Sequence, residues 1–527
     1  MPLSALQEVG RNTSAVISEA ASKVLTERGN DRQMEIGLLQ GLVLALKPIH
    51  LFYAFVGCFL GTLVGVLPGL GPAATMAILL PITSYLSPTP AIIMLAGIYY
   101  GAMYGGSTTS ILLNVPGEAA SVPTAIDGFQ MAKKGRAGEA LFIAAVGSFI
   151  AGTAGVLLLS FFAPVLAIFS LRFGPPEYCS LAVFSLLSIA SFTGGSVMRG
   201  VIMSLFGMLL ALVGLDPLSA QTRLVFGIPQ FYAGLDLVPV IMGLFGIAEI
   251  LSALGHGTDQ VAQSDLGKMI PKGKELRKGL IASLKGTVVG LFGWLPGMMG
   301  SVSAFISYDI AKRTSREPEE YGLGSIEGVA APEAANNSAA TTGFIPLMAL
   351  GVPTAPVYAI LLSALLIYGL PTGPMLFEQH GDIAWTVIAS MYIGNVILVI
   401  LNLPLIGLWT RITLVPYKIL GPCVLAIVVA GGYSLRNSMF DVWVTVIFGL
   451  VGYLMRKHEW PAAPLIIGMI LGPLLERSLR AALQMSDGSP MILIERPISA
   501  VLLGMTVCIV IVSRWLLHSG KIIAEED

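Results

Sequence analysis

The feature that most constrains the fold is a run of 67 residues, Leu51–Gly117, that contains no Asp, Glu, Lys, Arg or His. As continuous helix this run would be about 100 Å long, enough for roughly three crossings of a ~30 Å hydrocarbon core. Four more stretches lack Asp, Glu, Lys and Arg: Leu141–Leu171, Ala334–Phe377, Ile383–Thr410 and Val442–Met455. A globular core cannot absorb them, because such cores stop growing at about 250–300 residues. The sequence therefore predicts a polytopic membrane protein.

Only 12% of the 527 residues are charged, against about a quarter in a soluble domain. The apolar runs lack the alternating pattern of a membrane barrel, so we expect an all-α protein with about twelve membrane helices. The net charge of −1 gives no reason to expect nucleic acid. The five histidines have no metal-site spacing, and no phosphate-binding loop or other catalytic motif is present. An enzyme or an ATP-driven pump is not indicated, and no cofactor besides a coupling ion is expected.

A short basic segment divides the chain almost in half. Its five cationic residues predict a cytoplasmic loop: Lys268, Lys272, Lys274, Arg277 and Lys278. The predicted organisation is a polar leader or amphipathic helix at 1–36, a first transmembrane repeat at 37–255, the basic loop at 256–279, a second transmembrane repeat at 280–516 and a polar tail at 517–527.

The two halves share a glycine-rich element that leads into a Leu-Pro-Gly triplet. In the first half Gly61–Gly65 precedes Leu67–Pro72, and in the second Gly286–Gly290 precedes Leu295–Gly300. With Gly57, the first of these elements has glycines at four-residue spacing, which is typical of close packing between membrane helices.

A second polar element follows in each half and ends in a Val-Pro pair. Tyr104–Ser110 is followed by Asn114–Gly117, and Asn336–Thr342 is followed by Gly351–Thr354. The similar order and spacing predict a duplicated unit. Whether the two copies are inverted or parallel stays open.

Proline and glycine inside a membrane helix free backbone groups, which are costly in lipid unless protein, water or a ligand satisfies them. A lone proline is commonly a simple kink, but repeated breaks beside Ser, Thr and Asn clusters favour a site. Helix N-termini suit an anion, and carbonyl, Asn, Ser or Thr oxygens suit Na⁺. The predicted substrate-binding residues are Gly69, Ser107, Thr108, Asn114, Gly117, Asn337, Thr341, Pro353 and Thr354. The predicted Na⁺ ligands are at Gly69, Asn114 and Asn336.

Structural breaks are predicted at seven positions: Pro68, Gly71, Pro116, Pro296, Gly297, Pro332 and Glu333. Glu333 is also the intramembrane carboxylate of most interest, since such a group is a functional candidate by default. It could bind a proton or a cation, organise a hairpin, or serve only as a charge near a helix N-terminus.

The strings Leu67–Pro72, Tyr104–Gly117 and Gly328–Asn337 resemble the large membrane subunit of the tripartite tricarboxylate transporter family. The resemblance extends over nearly the whole chain. It implies a carrier of the bacterial inner membrane that couples a carboxylate to a cation, Na⁺ or H⁺. It also implies two partners, a small membrane subunit of about four spans and a periplasmic solute-binding protein. The implied substrates are di- or tricarboxylates or related organic acids.

Two strings depart from the family pattern, both in the second half. Leu295–Gly300 and Val352–Tyr358 carry bulkier, more apolar residues where the family has small ones. A smaller or less charged acid than citrate is therefore an equal expectation. Two other functions remain open: a channel, whose flux would ignore ion gradients, and a structural membrane scaffold, which would need no polar clusters.

Overall fold

The structure is a computed structural model of an almost entirely helical protein. It describes residues 37–67, 71–192, 196–216, 219–255, 266–296, 298, 300–412, 417–434 and 436–518. The predicted leader at 1–36 and most of the predicted tail lie outside the described residues. The predicted basic loop ends earlier than expected, because a helix begins at Lys274. The side chain of Lys274, at the start of this helix, is 77% exposed.

In the described residues, ten helices precede the basic loop: α1 (37–45), α2 (Pro48–Gly65), α3 (Pro72–Thr83), α4 (Pro88–Leu113), α5 (Val122–Lys133), α6 (Ala137–Ser170), α7 (Pro175–Phe192), α8 (Val197–Ala211), α9 (Leu237–Ile241) and α10 (Ala248–Gly255). A π-helix, Met242–Ile247, joins α9 to α10. Prolines at the first turns of α2, α3, α4 and α5 fix φ where no intrahelical N–H bond is needed.

In the part of the second half that the structure describes, thirteen helices follow: α11 (Lys274–Gly290), α12 (Gly300–Arg313), α13 (Ile326–Thr342), α14 (Phe344–Leu350), α15 (Pro356–Ile367), α16 (Pro374–Gln379), α17 (Gly381–Asn402), α18 (Ile406–Ile412), α19 (Tyr417–Ser434), α20 (Met439–Lys457), α21 (Ala462–Met485), α22 (Ile492–Glu495) and α23 (Pro497–His518). Short 3₁₀ turns lie at Ala119–Ser121, Pro229–Ala233 and Pro318–Glu320. The described strands are β1 (Gly214–Leu215) and β2 (Thr222–Arg223), an antiparallel ribbon.

Five of the described helices are long and apolar enough to cross a membrane: α2, α6, α17, α20 and α21. Six shorter apolar stretches accompany them: Pro72–Thr83, Val197–Ala211, Leu237–Ser252, Pro356–Ile367, Gly421–Ser434 and Pro497–Ser513. The all-α, multi-pass membrane architecture is confirmed, and the count of about twelve spans stays a prediction.

Glycines in α2 let α4 pack directly against its backbone. A methyl group at Gly57, Gly61 or Gly65 would collide with a carbonyl oxygen of α4, and the respective partners are Met94, Ile98 and Ala102. The predicted close packing is thus confirmed. The residue numbers of the contacting pairs rise together along both helices, so α2 and α4 run in the same direction. The intervening helix α3 brings the chain back from the end of α2 to the start of α4.

The same arrangement recurs after the basic loop. Methyl groups at Gly286 and Gly290 of α11 would collide with the carbonyl oxygens of Ala331 and Ala335 in α13. These partners also rise together, so α11 and α13 run in the same direction, and α12 lies between them in the chain.

The two glycine-lined pairs run in opposite directions. In the middle of α4, the ring of Tyr100 packs at a tilt against that of Phe344, with centroids 5.9 Å apart, just after α13 ends. Closer to its end, α4 places Ser107 in hydrogen-bond contact with Glu333, in the first half of α13. As the residue numbers rise along α4, the residue numbers of its contact partners fall. The helices α4 and α13 are therefore antiparallel.

Candidate functional site

The predicted polar clusters lie inside continuous helices rather than at breaks. Tyr104–Ser110 is part of α4, and Asn336–Thr342 is part of α13. The predicted break at Pro332 and Glu333 is wrong, since α13 runs from Ile326 through Pro332 to Thr342. Close packing of α13 on α6, α11 and α12 holds the helix across the proline, whose missing N–H removes only one intrahelical bond.

Glu333 joins α13 to the two helices that flank the first Val-Pro break. Its side chain is fully buried. Ser107 of α4 donates to Glu333 Oε2 at 2.5 Å, and Thr124 of α5 donates to Oε1 at 2.7 Å. In the described residues no Lys, Arg or His forms an ion pair with this carboxylate. The carboxylate of Glu333 is therefore stabilised inside the bundle by hydroxyl groups and not by a cationic side chain. Burying a carboxylate in this way costs free energy, so such a group commonly serves a function.

Asn337 connects the same helix to α6. Its Nδ2 donates to Ser148 Oγ at 2.7 Å and to the carbonyl of Glu333 at 3.0 Å. Thr341 faces α6 too, because a methyl group at Gly155 would collide with its hydroxyl oxygen. The Thr341 hydroxyl donates to the carbonyls of Asn337 and Ser338 within its own helix, so its observed role is packing.

The first Val-Pro break begins where α4 ends. Asn114 is the C-cap in the left-handed region, with φ +57°, and its N–H donates to Thr109 O. Asparagine tolerates this conformation better than most residues. The Asn114 side chain is exposed. Beyond Pro116, Gly117 lies against Gly106 of α4, and a methyl group on Gly117 would come within 2.7 Å of the Gly106 Cα.

Gly71 lies beside this break. A Cβ on Gly71, the N-cap of α3, would lie 3.6 Å from the carbonyl oxygen of Gly117. The described end of the first Leu-Pro-Gly element therefore meets the first Val-Pro break. Pro68, Gly69 and Gly297, which were predicted to take part, lie outside the described residues.

Asn336 is where the two halves of the chain meet. Its Nδ2 donates to Glu118 Oε1 at 3.0 Å, next to the first Val-Pro break. Its Oδ1 would be 2.6 Å from a Cβ on Gly300, the first residue of α12, and that Cβ would lie 3.6 Å from Ala120. We call this region, formed by Gly71, Gly117–Ala120, Gly300 and Asn336, the junction.

Four buried polar atoms in or beside these helices have no hydrogen-bond partner among the described residues. They are Asn336 Oδ1, Ser338 Oγ and the phenolic oxygens of Tyr100 and Tyr104. Buried polar groups are nearly always paired, so each such atom needs an explanation. A polar ligand or water at the junction would supply the partner of Asn336.

The second Val-Pro break lies apart from these contacts. Gly351, with φ +69°, packs against Thr372, and Val352 belongs to a hydrophobic cluster with α7 and α21. Pro353 and Thr354 are buried, yet no described hydrogen bond joins Thr354 to Ser107, Glu333 or Asn337. Thr108 is buried as well, in α4. The roles of Thr108, Pro353 and Thr354 in substrate binding stay predictions.

A family model for the tripartite tricarboxylate transporter TctA family matches residues 51–467 of the chain. The chain belongs to this family. A relative in Agrobacterium vitis, described as an uncharacterized 52.8 kDa protein in the TAR-I ttuC' 3' region, is 45% identical over 492 residues, or 92% of this chain and 98% of that protein. Another A. vitis protein, in the TAR-II ttuC' 3' region, is 44% identical over 222 residues, or 42% of this chain and 92% of that protein.

The structure places in the network of this TctA family protein three residues that were not among the predicted binding residues: Glu118, Thr124 and Ser148. Glu118 had a signal, because it is the first charged residue after the 67-residue run. Thr124 and Ser148 had none, since a lone hydroxyl in an apolar segment commonly bonds only to its own helix.

Asp127 of α5 is fully buried and clamps the loop before α13. Its Oδ1 accepts the backbone N–H groups of Gly322, Gly324 and Ser325 at 2.8–2.9 Å. Its Oδ2 accepts the Tyr308 hydroxyl at 2.8 Å. Its observed contacts indicate a structural role, because all four donors are fixed parts of the second half.

The predicted cytoplasmic face carries a cluster of ion pairs. Lys278 pairs with Glu275, Glu317 and Glu320, and Lys274 pairs with Glu317 at 3.2 Å. Hydrogen bonds from Lys278 and then Lys274 lower the pKa of the Glu317 carboxyl. The cluster ties the start of α11 to the loop that Asp127 holds.

Proposed function

We propose that this protein is the large membrane subunit of a secondary transporter that imports an organic carboxylate together with a cation, with Na⁺ the first choice and H⁺ the other. A periplasmic solute-binding protein would deliver the substrate, and a small membrane subunit of about four spans would accompany this chain in the bacterial inner membrane. Membership of the TctA family supports the proposal. The observation that carries it is the junction.

Three helix N-termini point into the junction. Gly71 is the N-cap of α3, Gly300 begins α12, and Glu118–Ala120 leads through a 3₁₀ turn into α5. Unpaired N–H groups and a partial positive charge at each helix start favour an anion. A substrate carboxylate could therefore bind here without a buried lysine or arginine.

The directions of the helices support two inverted copies of one unit. We infer that α2–α3–α4 corresponds to α11–α12–α13, because each outer pair is parallel and joined through glycines while α4 and α13 are antiparallel. Transporters with inverted repeats commonly hold the substrate where the two copies meet. The junction is such a place, since Asn336 of the second copy contacts Glu118 and Ala120 of the first.

The acidic groups at and near the junction also support a coupling cation. The junction already contains the Glu118 carboxylate, and Glu333 is linked to the same two helical elements through Ser107 and Thr124. Adding a carboxylate substrate to these groups in a low-dielectric region would be strongly unfavourable without a compensating cation. Alternating access would then arise from movement of the two repeats relative to each other, by an elevator or a rocking motion.

The substrate class is an organic acid whose size is set partly by the second half. Met298, beside the start of α12, is bulkier than the small residue that the family resemblance implies at this position. The proposed range therefore extends from di- and tricarboxylates to smaller or less charged acids.

The test is uptake of labelled citrate, malate, succinate and acetate into proteoliposomes that contain this chain, the small subunit and the cognate binding protein. Uptake of at least one acid should require the binding protein and an inward Na⁺ or H⁺ gradient. Uptake that ignores every gradient would indicate a channel. Absence of uptake, with the subunits correctly inserted and the binding protein loaded, would favour a structural scaffold.

A further inference from the structure

We infer that the coupling cation is Na⁺ and that it binds in the junction between the Glu118 carboxylate and the amide oxygen of Asn336. This inference rests on the proposed function, and it moves the cation away from two of the positions that the sequence predicted. Asn114 caps α4 with an exposed side chain, and Gly69 lies outside the described residues.

The first argument is the unpartnered oxygen. Asn336 is fully buried, its Nδ2 is used by Glu118, and its Oδ1 has no hydrogen-bond partner among the described residues. A buried amide oxygen without a donor costs free energy. A cation satisfies it, and an amide oxygen is a good ligand for a hard cation such as Na⁺.

The second argument is the position of that oxygen. It faces Gly300, and a Cβ built on Gly300 would lie 2.6 Å from it and 3.6 Å from the Ala120 side chain. The oxygen therefore lies between the first residue of α12 and the turn that starts at Glu118. Glycine at 300 allows this close approach of the Asn336 oxygen, which a side chain at that position would disturb.

The third argument is the supply of further oxygens. Glu118 has a second carboxylate oxygen besides the one that Asn336 contacts, and the carbonyl of Gly117 faces Gly71. In the described part of the chain no three His, Cys, Asp or Glu side chains converge on one point. A set of one carboxylate plus amide and backbone oxygens suits Na⁺ better than a transition metal.

The consequence is an order of binding. With Na⁺ beside Glu118, the three helix N-termini can accept a substrate carboxylate, whereas without it the carboxylate of Glu118 repels the substrate. Na⁺ and the organic acid therefore increase each other's affinity, as reciprocal linkage requires.

The experiment measures Na⁺ binding by the purified complex of this chain with its small subunit, using ²²Na⁺ and thermal unfolding in NaCl against choline chloride. Wild type should bind Na⁺ saturably without substrate, and its Tm should rise with NaCl alone. Glu118→Gln and Asn336→Ala should each weaken Na⁺ binding by at least about tenfold. Glu327→Gln, which changes a carboxylate held by Ser315 and Tyr321 outside the junction, should leave Na⁺ binding unchanged.

Glycine variants provide a second series in which no charge changes. Gly300→Ala should weaken Na⁺ binding, because its methyl group would press on the Asn336 oxygen. Gly504→Ala, in α23, where a Cβ meets nothing within 4 Å, is the matched control. Equal Na⁺ affinity in wild type, Glu118→Gln and Gly300→Ala would overturn the inference.

Failure of the inference can be distinguished from failure of the proposed function. Gradient-driven carboxylate uptake without any Na⁺ binding would reject the site and leave the transporter in place. Saturable Na⁺ binding that depends on Glu118, with no uptake of any acid in the tested panel, would reject the proposed function and retain the cation site.

Discussion

Ser107 of α4 donates its hydroxyl hydrogen to Glu333 of α13 at 2.5 Å, across 226 residues of the chain. The two residues belong to helices that run in opposite directions and to different halves of the sequence. Thr124 adds a second hydroxyl on the other carboxylate oxygen. Glu333 therefore accepts hydrogen bonds from the helices on both sides of the first Val-Pro break.

The hydroxyl of Ser107 should matter far more than that of Ser110, although both are buried in α4. Ser110 donates only to Gly106 O in its own helix. We expect Ser107→Ala to lower the free energy of unfolding by about 1–3 kcal/mol and to reduce carboxylate uptake, because Glu333 loses a donor. Ser110→Ala should stay within about 0.5 kcal/mol of wild type. Equal effects in thermal unfolding and proteoliposome uptake would contradict this role.

An added methyl group at a packed glycine should destabilise both halves of the protein to a similar extent. Gly61→Ala and Gly286→Ala would drive a methyl group into a helix carbonyl of α4 and α13, respectively. Each should destabilise the protein by about 1–3 kcal/mol, measured as a lower Tm in detergent. Gly381→Ala is the control, because its Cβ would only just reach Trp385, at 4.0 Å. If Gly286→Ala is tolerated while Gly61→Ala destabilises the protein, the packing of α11 on α13 is not equivalent to that of α2 on α4.

Substitutions that remove more of the hydrogen bonds of Asp127 should lower the free energy of unfolding by larger amounts. Tyr308→Phe removes one donor and should cost about 1 kcal/mol. Asp127→Ala leaves three backbone N–H groups, of the buried Ser325 and the partly buried Gly322 and Gly324, without an acceptor, and should cost more than Tyr308→Phe by at least about 2 kcal/mol. Asp127→Asn keeps one acceptor oxygen and should fall between them. Thermal unfolding of the three variants gives the ranking, and an Asp127→Ala protein as stable as Tyr308→Phe would refute the clamp.

The ion pairs of Glu317 should make the predicted cytoplasmic face sensitive to acid. Because the folded-state pKa of Glu317 is lowered, its contribution is present above the unfolded value of about 4.3 and is lost as pH falls through the folded value. Glu317→Gln should therefore flatten the loss of stability below that pH. Salt should weaken the wild-type effect too, since the ion pairs are partly exposed. Thermal unfolding between pH 3 and 7 checks both.

The general architecture was predictable because it depends on local composition. A charge-free run of 67 residues predicts membrane helices, and glycines at positions 57, 61 and 65 indicated the packing of α2 on α4. The breaks were harder to place. The helix α4 ends at Asn114, two residues before the predicted break at Pro116, but Pro332 does not interrupt α13, since packing with three neighbouring helices outweighs the loss of one backbone bond.

The junction itself was only half predictable. Asn336 was identified from its polar surroundings, while its pairing with Glu118, 218 residues away, was not predicted. A contact of that range depends on the relative orientation of the two halves, which local sequence patterns do not encode. The same reason explains why Thr124 and Ser148 were missed.

The opposed directions of the two glycine-lined pairs have a consequence for energetics. A protein made of two oppositely directed copies can reach its second end state when each copy takes the shape the other had. If the copies were identical, both end states would have equal free energy, and neither side of the membrane would be favoured at rest. If the two halves are such copies, any resting preference comes from sequence differences between them.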